Sequence, residues 1–525
     1  MKFRKIFILI IPLICLAQWS TDPSENLLVN SWGTRTEACT DGDGGIYVVW
    51  QNHSQWLHVY VRRVDKFGYL QWNDYVDMGG EGNYQDWPKI TQTGVGNAIV
   101  AFDDKYWEPD SISTYRPVVR VQLIDQDGNL PWGVNGVRVK PAESFQYLEG
   151  VTTDGQGGAF ILFIDKEYYG DPGSLIIQRI SFQGERMWGD DGIIILGPDT
   201  VIDGRLHGNK NRMISDGQGG AMLYHGDPEG ETWYDWIVHR IDENGNTVWE
   251  THCDIRSINL WIPDGNGGCA LAGYYDVLGN WTKQIVLNRI DSDGNYIWPR
   301  DSIIVADSLT WHTARTDITF RSDSSLIVFW TKIVDTISDA DIFTQIIKHD
   351  SQFLFQEGGI SLINTPGFRY SERVMSSKYN NAIYLWRNLD EPSQHYYGRK
   401  LNTMGTPTWS NDVLITNQNL IERDVISDGM GGGIYLFEGT GSPYGVFAQQ
   451  ISCNGILGEV ATCIPIEGDV NLDGLVDIQD VIMCIDLILS ILEPTEEQLM
   501  ATDLDNDNLI NIFDILLLVE IILEN

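Results

Sequence analysis

Two short segments near the end of the chain carry its densest sets of oxygen donors. The first comprises Asp469, Asn471, Asp473, Leu475, Asp477 and Asp480; the second comprises Asp503, Asp505, Asp507, Leu509, Asn511 and Asp514. The two sets begin 34 residues apart and occupy positions 1, 3, 5, 7, 9 and 12 of a twelve-residue loop. Position 7 lends a backbone carbonyl, and the other five lend side-chain oxygens. That spacing wraps a hard cation at about 2.3–2.6 Å, so two Ca²⁺ ions are expected. Gly474 takes the sharp turn at position 6, and Asn508 takes it in the second loop because Asn tolerates the left-handed region. Like charges ~5 Å apart at an effective dielectric of ~20 repel by about 3 kcal/mol per pair. Each loop holds four carboxylates, so the segment is expected to fold on calcium and loosen without it.

Helices must hold these loops in place. An apolar run follows each loop, at 481–492 and at 515–523. Thr495 is a fitting N-cap for a short helix before the second loop. Pro465 and Gly468 forbid an entering helix before the first. Val476 and Ile510, at position 8, are the apolar residues that could pair the loops. From Glu467 to Asn525 there are fifteen acidic residues and no Lys or Arg. The helix faces are more apolar than one small domain needs, which points to a protein partner.

The segment GDVNLDGLVDIQDVIMCIDLIL, with its second copy TDLDNDNLINIFDILLLVEIIL, resembles a type I-like dockerin. The resemblance covers about 60 residues, and Asp480 and Asp514 at position 12 fit it. It implies calcium-dependent docking onto a cohesin module of a scaffold or surface protein. It also implies a bacterial extracellular or cell-surface setting and a part in polysaccharide breakdown. Dockerins read their partner largely through loop positions 10 and 11, here Ile478 with Gln479 and Ile512 with Phe513. These differ from each other and from the Ser-Thr pair of one well-known group, so the resemblance implies neither that group's partner class nor interchangeable faces.

Upstream of this tail the chain repeats itself. A turn of the form Asp-Gly-x-Gly-Gly precedes an apolar run at Asp41, Asp154, Asp216, Asp264 and Asp428. A second element joins a strand to a Gly-containing turn and a Trp, ending at Trp72, Trp132, Trp188, Trp249, Trp298 and Trp409, with Phe355 and Leu457 in weaker copies. These anchors are 60, 56, 61, 49, 57, 54 and 48 residues apart. Eight units of about four short strands, with hairpin turn chemistry and no long helical pattern, predict a β-propeller, with seven blades as the second count. The eighth unit lacks its Trp and last strand. Gln18, Trp19 and the following LLV run look like that missing piece, so the N-terminal strand is expected to close the ring and remove its open edges. The repeated Asp turns and Trp residues read as structural, because one active site would not recur around a ring. The Asp-to-Trp unit is also similar to the tryptophan-docking repeat of quinoprotein dehydrogenases and to the sialidase Asp-box, with different spacing from either.

Lys2, Arg4 and Lys5 precede the apolar run Ile6–Leu16 and the small Ala17, the pattern of a secretory signal peptide. The expected organisation is therefore a signal at 1–17, a propeller at 18–458, a linker at 459–466 and a small all-α calcium-binding domain at 467–525. No segment is expected to span a membrane. A formal charge of −38 over 525 residues argues against nucleic acid and anionic membrane as main partners. Of the six cysteines after the signal, Cys453 and Cys463 form the most plausible disulfide, closing a short loop.

The propeller leaves two readings. It is either a binding module presented by the dockerin, or a carbohydrate-active hydrolase or lyase with its site in the central funnel. A quinoprotein oxidoreductase is a third. Nine His residues lie scattered, without HExxH or GxSxG, and His207, His225 and Asp227 sit in a loop-rich unit. Aromatic inserts at 84–87, 103–115 and 232–236 could stack on sugars or fill space between blades. The repeats look regular and no unit shows a distinct polar cluster, so the binding module is the favoured reading and the catalytic residues stay unknown.

Overall fold

Each apolar run that follows an Asp-Gly turn becomes a strand buried on both faces, because it lies between two neighbouring sheets. Ile46–Gln51 is buried at every residue, as are the first six residues of Leu326–Ile333 and the first seven of Gly433–Thr440. These strands belong to a computed structural model. It describes residues 19–52, 57–80, 82, 84–107, 115–141, 144–168, 171–201, 212–227, 236–253, 255, 258–277, 282–298, 302–310, 315–333, 340–363, 365, 367–390, 394–505, 507 and 509–524. The expected signal at 1–17, His207, Asn508 and most of the 232–236 insert lie outside the described residues.

The strands form eight antiparallel sheets of four. Blades 1 to 7 span 34–77, 84–138, 145–201, 213–253, 258–310, 316–361 and 369–416 in chain order. Blade 8 takes Ile421–Ser427, Gly433–Thr440 and Tyr444–Ile451, then borrows Leu27–Asn30 as its outer strand. Leu27 pairs with Ala448 and Leu28 with Phe447, so the N-terminal strand closes the ring as expected. The β-branched runs after each Trp supply outer strands such as Ile193–Val201, Ile303–Thr310 and Val413–Thr416.

A repeated hydrogen bond locks blade to blade. The indole Nε1 of Trp72 donates to the carbonyl of Gln126 in the next blade's turn, and Trp132, Trp249, Trp298 and Trp409 do the same with Phe182, Ser292, His349 and Cys453, at 2.8–3.1 Å. Trp19 completes the series by donating to Lys66 at 2.9 Å, across the closure. A buried indole contributes a large apolar area, and its N–H has its partner.

The tail is helical. Helix α1 is Ile478–Ile488, α2 is Glu496–Thr502 and α3 is Ile512–Glu524. Asp477 caps α1 and Thr495 caps α2, each in a capping box. Val470, Val481, Cys484, Leu487 and Leu518 form its small core, with Val476 and Ile510 packed against it. Among the described residues no helix is long and apolar enough to cross a membrane.

The connection between ring and tail is pinned. Cys453 and Cys463 form a disulfide. Tyr379 of a blade-7 turn donates its hydroxyl to the carbonyl of Cys463 at 3.2 Å, and Lys378 pairs with Glu497 at 3.4 Å. Gly474 has φ +87°, and a Cβ there would lie 2.7 Å from the Tyr379 carbonyl, so a glycine is required twice over.

Candidate functional site

The first acidic loop is built on its own backbone amides. Asp469 Oδ1 accepts from Asp473 N at 3.0 Å and its Oδ2 from Gly474 N at 2.9 Å. Asp480 Oδ1 and Oδ2 accept from Asn471 N and Asp477 N at 3.0 and 2.8 Å. The second loop repeats the scheme. Asp503 Oδ1 accepts from Asp507 N at 3.0 Å, and Asp514 Oδ2 from Asn511 N at 2.8 Å. Asp507 Oδ1 accepts from Leu509 N at 2.7 Å, just as Asp473 Oδ1 accepts from Leu475 N at 2.9 Å. The carboxylates at loop positions 1, 5 and 12 therefore take the same backbone partners in both copies.

Amide bonds hold these carboxylates but do not neutralise them. Asp503, Asp505 and Asp507 each bring an oxygen within 4.8 Å of the others'. Asp469, Asp480 and Asp514 are buried. Burial, then the charges of Asp480 and Asp473, push the Asp469 carboxyl up to about 7. The tail has no Lys or Arg to answer this. An all-oxygen set with crowded acids suits a hard divalent cation such as Ca²⁺, and such an ion would supply the missing charge.

A second site lies in the ring, on the face where the inner strands begin. A cavity of about 450 Å³ is lined by residues of blades 5 to 8, among them Tyr274, Arg315, Glu372, Arg387, Tyr396 and Glu422. Arg315 Nη1 donates to Glu372 Oε2 at 2.7 Å, and Arg387 Nε lies 2.8 Å from Glu372 Oε1. Arg373, also in the wall, donates from Nε to Glu422 Oε1 at 2.9 Å and from Nη2 to the Arg423 carbonyl at 3.1 Å. Tyr274 donates its hydroxyl to Thr316 Oγ1 at 3.1 Å, and Tyr396 donates to the Leu420 carbonyl at 3.1 Å. Burial pushes the Glu372 carboxyl up, against the pull of its two arginines. Deeper between the inner strands, burial pushes Asp317 up to about 6 and Asp424 up to about 7.

This cluster corrects the expectation that no unit carries distinct polar groups. Blades 7 and 8 do, through Ser371-Glu372-Arg373 and Ile421-Glu422-Arg423. The signal available in the sequence was that shared Glu-Arg pair at the start of two inner strands.

Residues 467–523 match the dockerin type I domain. That tail is a dockerin. No curated protein matches this chain. The ring is similar to a polysaccharide lyase of family PL25, an ulvan lyase solved bound to -[GlcA(1-4)Rha3S]-, at 9% identity over 87% of this chain and 99% of that one, with TM-score 0.42. It is also similar to polysaccharide lyase Uly1, at 9% identity over 81% and 91% with TM-score 0.38. A third is the endo-arabinase from Bacteroides thetaiotaomicron VPI-5482, at 10% identity over 74% and 98% with TM-score 0.25. Likenesses of this strength say nothing of chemistry, and the eight-bladed ring rests on its own strand pairing.

The dockerin leaves two apolar stripes uncovered. On α1 these are Ile478, Ile482, Ile485 and Leu489; on α3 they are Ile512, Leu516, Val519 and Leu523, with Phe513 beside them. The spacing is the same on both helices, the i, i+4, i+7, i+11 of one helix face. The four predicted partner-reading residues, Ile478, Gln479, Ile512 and Phe513, are all exposed.

Proposed function

We propose that this chain is an exported protein that docks through its dockerin, in a calcium-dependent manner, onto a cohesin module, and presents its propeller to extracellular polysaccharide. The observation that carries this reading is the pair of acidic loops, in phase with each other in a tail that has no Lys or Arg of its own, each opening a helix with an exposed apolar stripe. Asp469, Asn471, Asp473, Leu475, Asp477 and Asp480 would hold one Ca²⁺; Asp503, Asp505, Asp507, Leu509, Asn511 and Asp514 would hold the other. The ions would fix the loop geometry, and so the angle between α1 and α3, whose first residues meet the partner. A panel of immobilised cohesins tests this. Capture is expected in millimolar calcium and loss of capture in a chelator. Equal capture in both, or none by any cohesin, would defeat the proposal.

The ring cavity gives the enzymatic alternative a specific support. Glu372 and Glu422 line one cavity, and paired carboxylates are what glycoside hydrolysis needs. Release of new reducing ends from a polysaccharide by the whole chain, abolished in Glu422→Gln, would favour a hydrolase or lyase. Retention without release would favour a binding module.

A further inference from the structure

We propose that the cavity of blades 5 to 8 binds a saccharide bearing a carboxylate, with Arg315 and Arg387 as the groups that hold the anion. The proposal rests on the reading that the propeller faces polysaccharide, and it names the class of sugar.

The argument begins with charge. A protein with formal charge −38 repels polyanions at long range, so any affinity for one must come from fixed cations close to it. Three guanidiniums and two carboxylates line this cavity. Arg373 is committed: Glu422 and a backbone carbonyl occupy it. Arg315 and Arg387, by contrast, share the single carboxylate of Glu372. Two guanidiniums there face one carboxylate, while Asp317 and Asp424 add their charge on the Arg373 side.

The geometry also holds both guanidiniums in place. Arg387 Nε is buried and, although 2.8 Å from Glu372 Oε1, it makes no aligned hydrogen bond. Its Nη1 is engaged by Gln394 Oε1 at 2.7 Å, which fixes the plane of the group. The Arg315 side chain is 49% exposed, at the cavity mouth. Both guanidiniums lie over the ring of Tyr370, at 5.0 and 5.6 Å, and Arg387 lies 5.9 Å from the ring of Tyr396. Stacked arginines lose little further freedom on binding, and a planar fork matches a planar carboxylate.

The rest of the wall suits a sugar. Thr316, Ser371, Tyr274 and Tyr396 line the wall with their hydroxyls already hydrogen-bonded within the protein, so their aromatic and aliphatic faces are what meets a ring, and about 450 Å³ falls within the usual range of small-ligand sites. A carboxylate would give the two guanidiniums a second anion beside Glu372, which a neutral sugar cannot supply.

The test uses the full chain with calcium and matched oligosaccharides. The probes are a trigalacturonate, the same trisaccharide with its carboxylates reduced to alcohols, and a sulfated galactan oligosaccharide, all measured by titration calorimetry. The trigalacturonate is expected to bind at least ten-fold more tightly than its reduced form, and Arg315→Gln is expected to remove that preference. The comparison of the two trisaccharides needs no variant, so it stands even if a substitution harms folding. Equal binding of the reduced sugar, preference for the sulfated one, or an undiminished preference in Arg315→Gln would overturn the carboxylate assignment while leaving the polysaccharide reading intact. If a wide panel of neutral, carboxylated and sulfated glycans all fail to bind, the polysaccharide reading falls with it.

Discussion

Aspartates turn the chain in both halves of this molecule, but they are answered differently. In the ring, Asp41, Asp154, Asp216, Asp264 and Asp428 each accept from the amides two and four residues on, at 2.7–2.9 Å. Their second oxygens meet Arg63, Arg179 and Arg240 at 2.9–3.0 Å, while Asp428 meets Gln450 at 3.4 Å. The dockerin uses similar amide bonds but has no Lys or Arg of its own; Arg321 of the ring lies by Asp473 in a shared cavity. An acidic loop therefore calls for metal when its charge goes unmatched locally, whatever the number of acids. The ring answers its aspartates from within, and the proposed calcium ions would do so in the tail.

The sharpest way to break this contrast is to strip both dockerin loops. Asp473→Ala with Asp507→Ala is expected to abolish calcium-dependent protection of the tail from proteolysis, and cohesin capture with it, while the ring's melting transition stays in place. A tail that still responds to calcium would mean that the ligands lie elsewhere. Trp19→Ala attacks the closure instead. Removing a buried indole costs about 3–5 kcal/mol, read as a fall in the ring's denaturant midpoint that calcium does not restore. Arg179→Ala strands the buried carboxylate of Asp154, and breaking such a pair costs about 3 kcal/mol or more. A chelator should not change the size of that loss. If it does, the ring's aspartates also need metal and the contrast dissolves.

The smallest effect concerns pH, and it has opposite signs in the two regions. In the folded ring Asp424 and Asp317 sit at about 7 and about 6, above the ~3.9 of an unfolded aspartate. The folded form thus holds more protons between pH ~4 and ~7, so these two groups add stability as pH falls through that window and withdraw it as pH rises. Calcium ligands must be ionised, so the same acidification weakens the tail. The ring's midpoint is expected to rise by a few degrees from pH 8 to pH 5.5, and Asp424→Asn should flatten the rise.

Much of this was legible before any coordinates. The spacing of Trp72, Trp132 and their fellows reports the ring, because each must reach the next blade's turn. Trp19 reports the closure for the same reason. The dockerin loops are legible because their acids come from one continuous stretch each. The cavity is not, because Tyr274 and Glu422 are joined only by the curvature of the ring. Strand alternation also fails to say which face of an inner strand meets the central channel, so among 73 acidic residues only the shared Glu-Arg pair sets Glu372 and Glu422 apart. The contact of Lys378 and Tyr379 with the dockerin was equally hidden, since nothing local marks a turn that meets another domain.

That contact has a geometric consequence. Lys378 and Tyr379 follow the strand Arg369–Ser376 at its far end, whereas Glu372 lies near its start. Tail and cavity thus occupy opposite poles of the disc, and the disulfide at Cys463 makes the joint a short bracket in place of a loose leash. A molecule moored by its tail would turn the cavity outward, leaving a long polymer free to pass across it without meeting the anchorage.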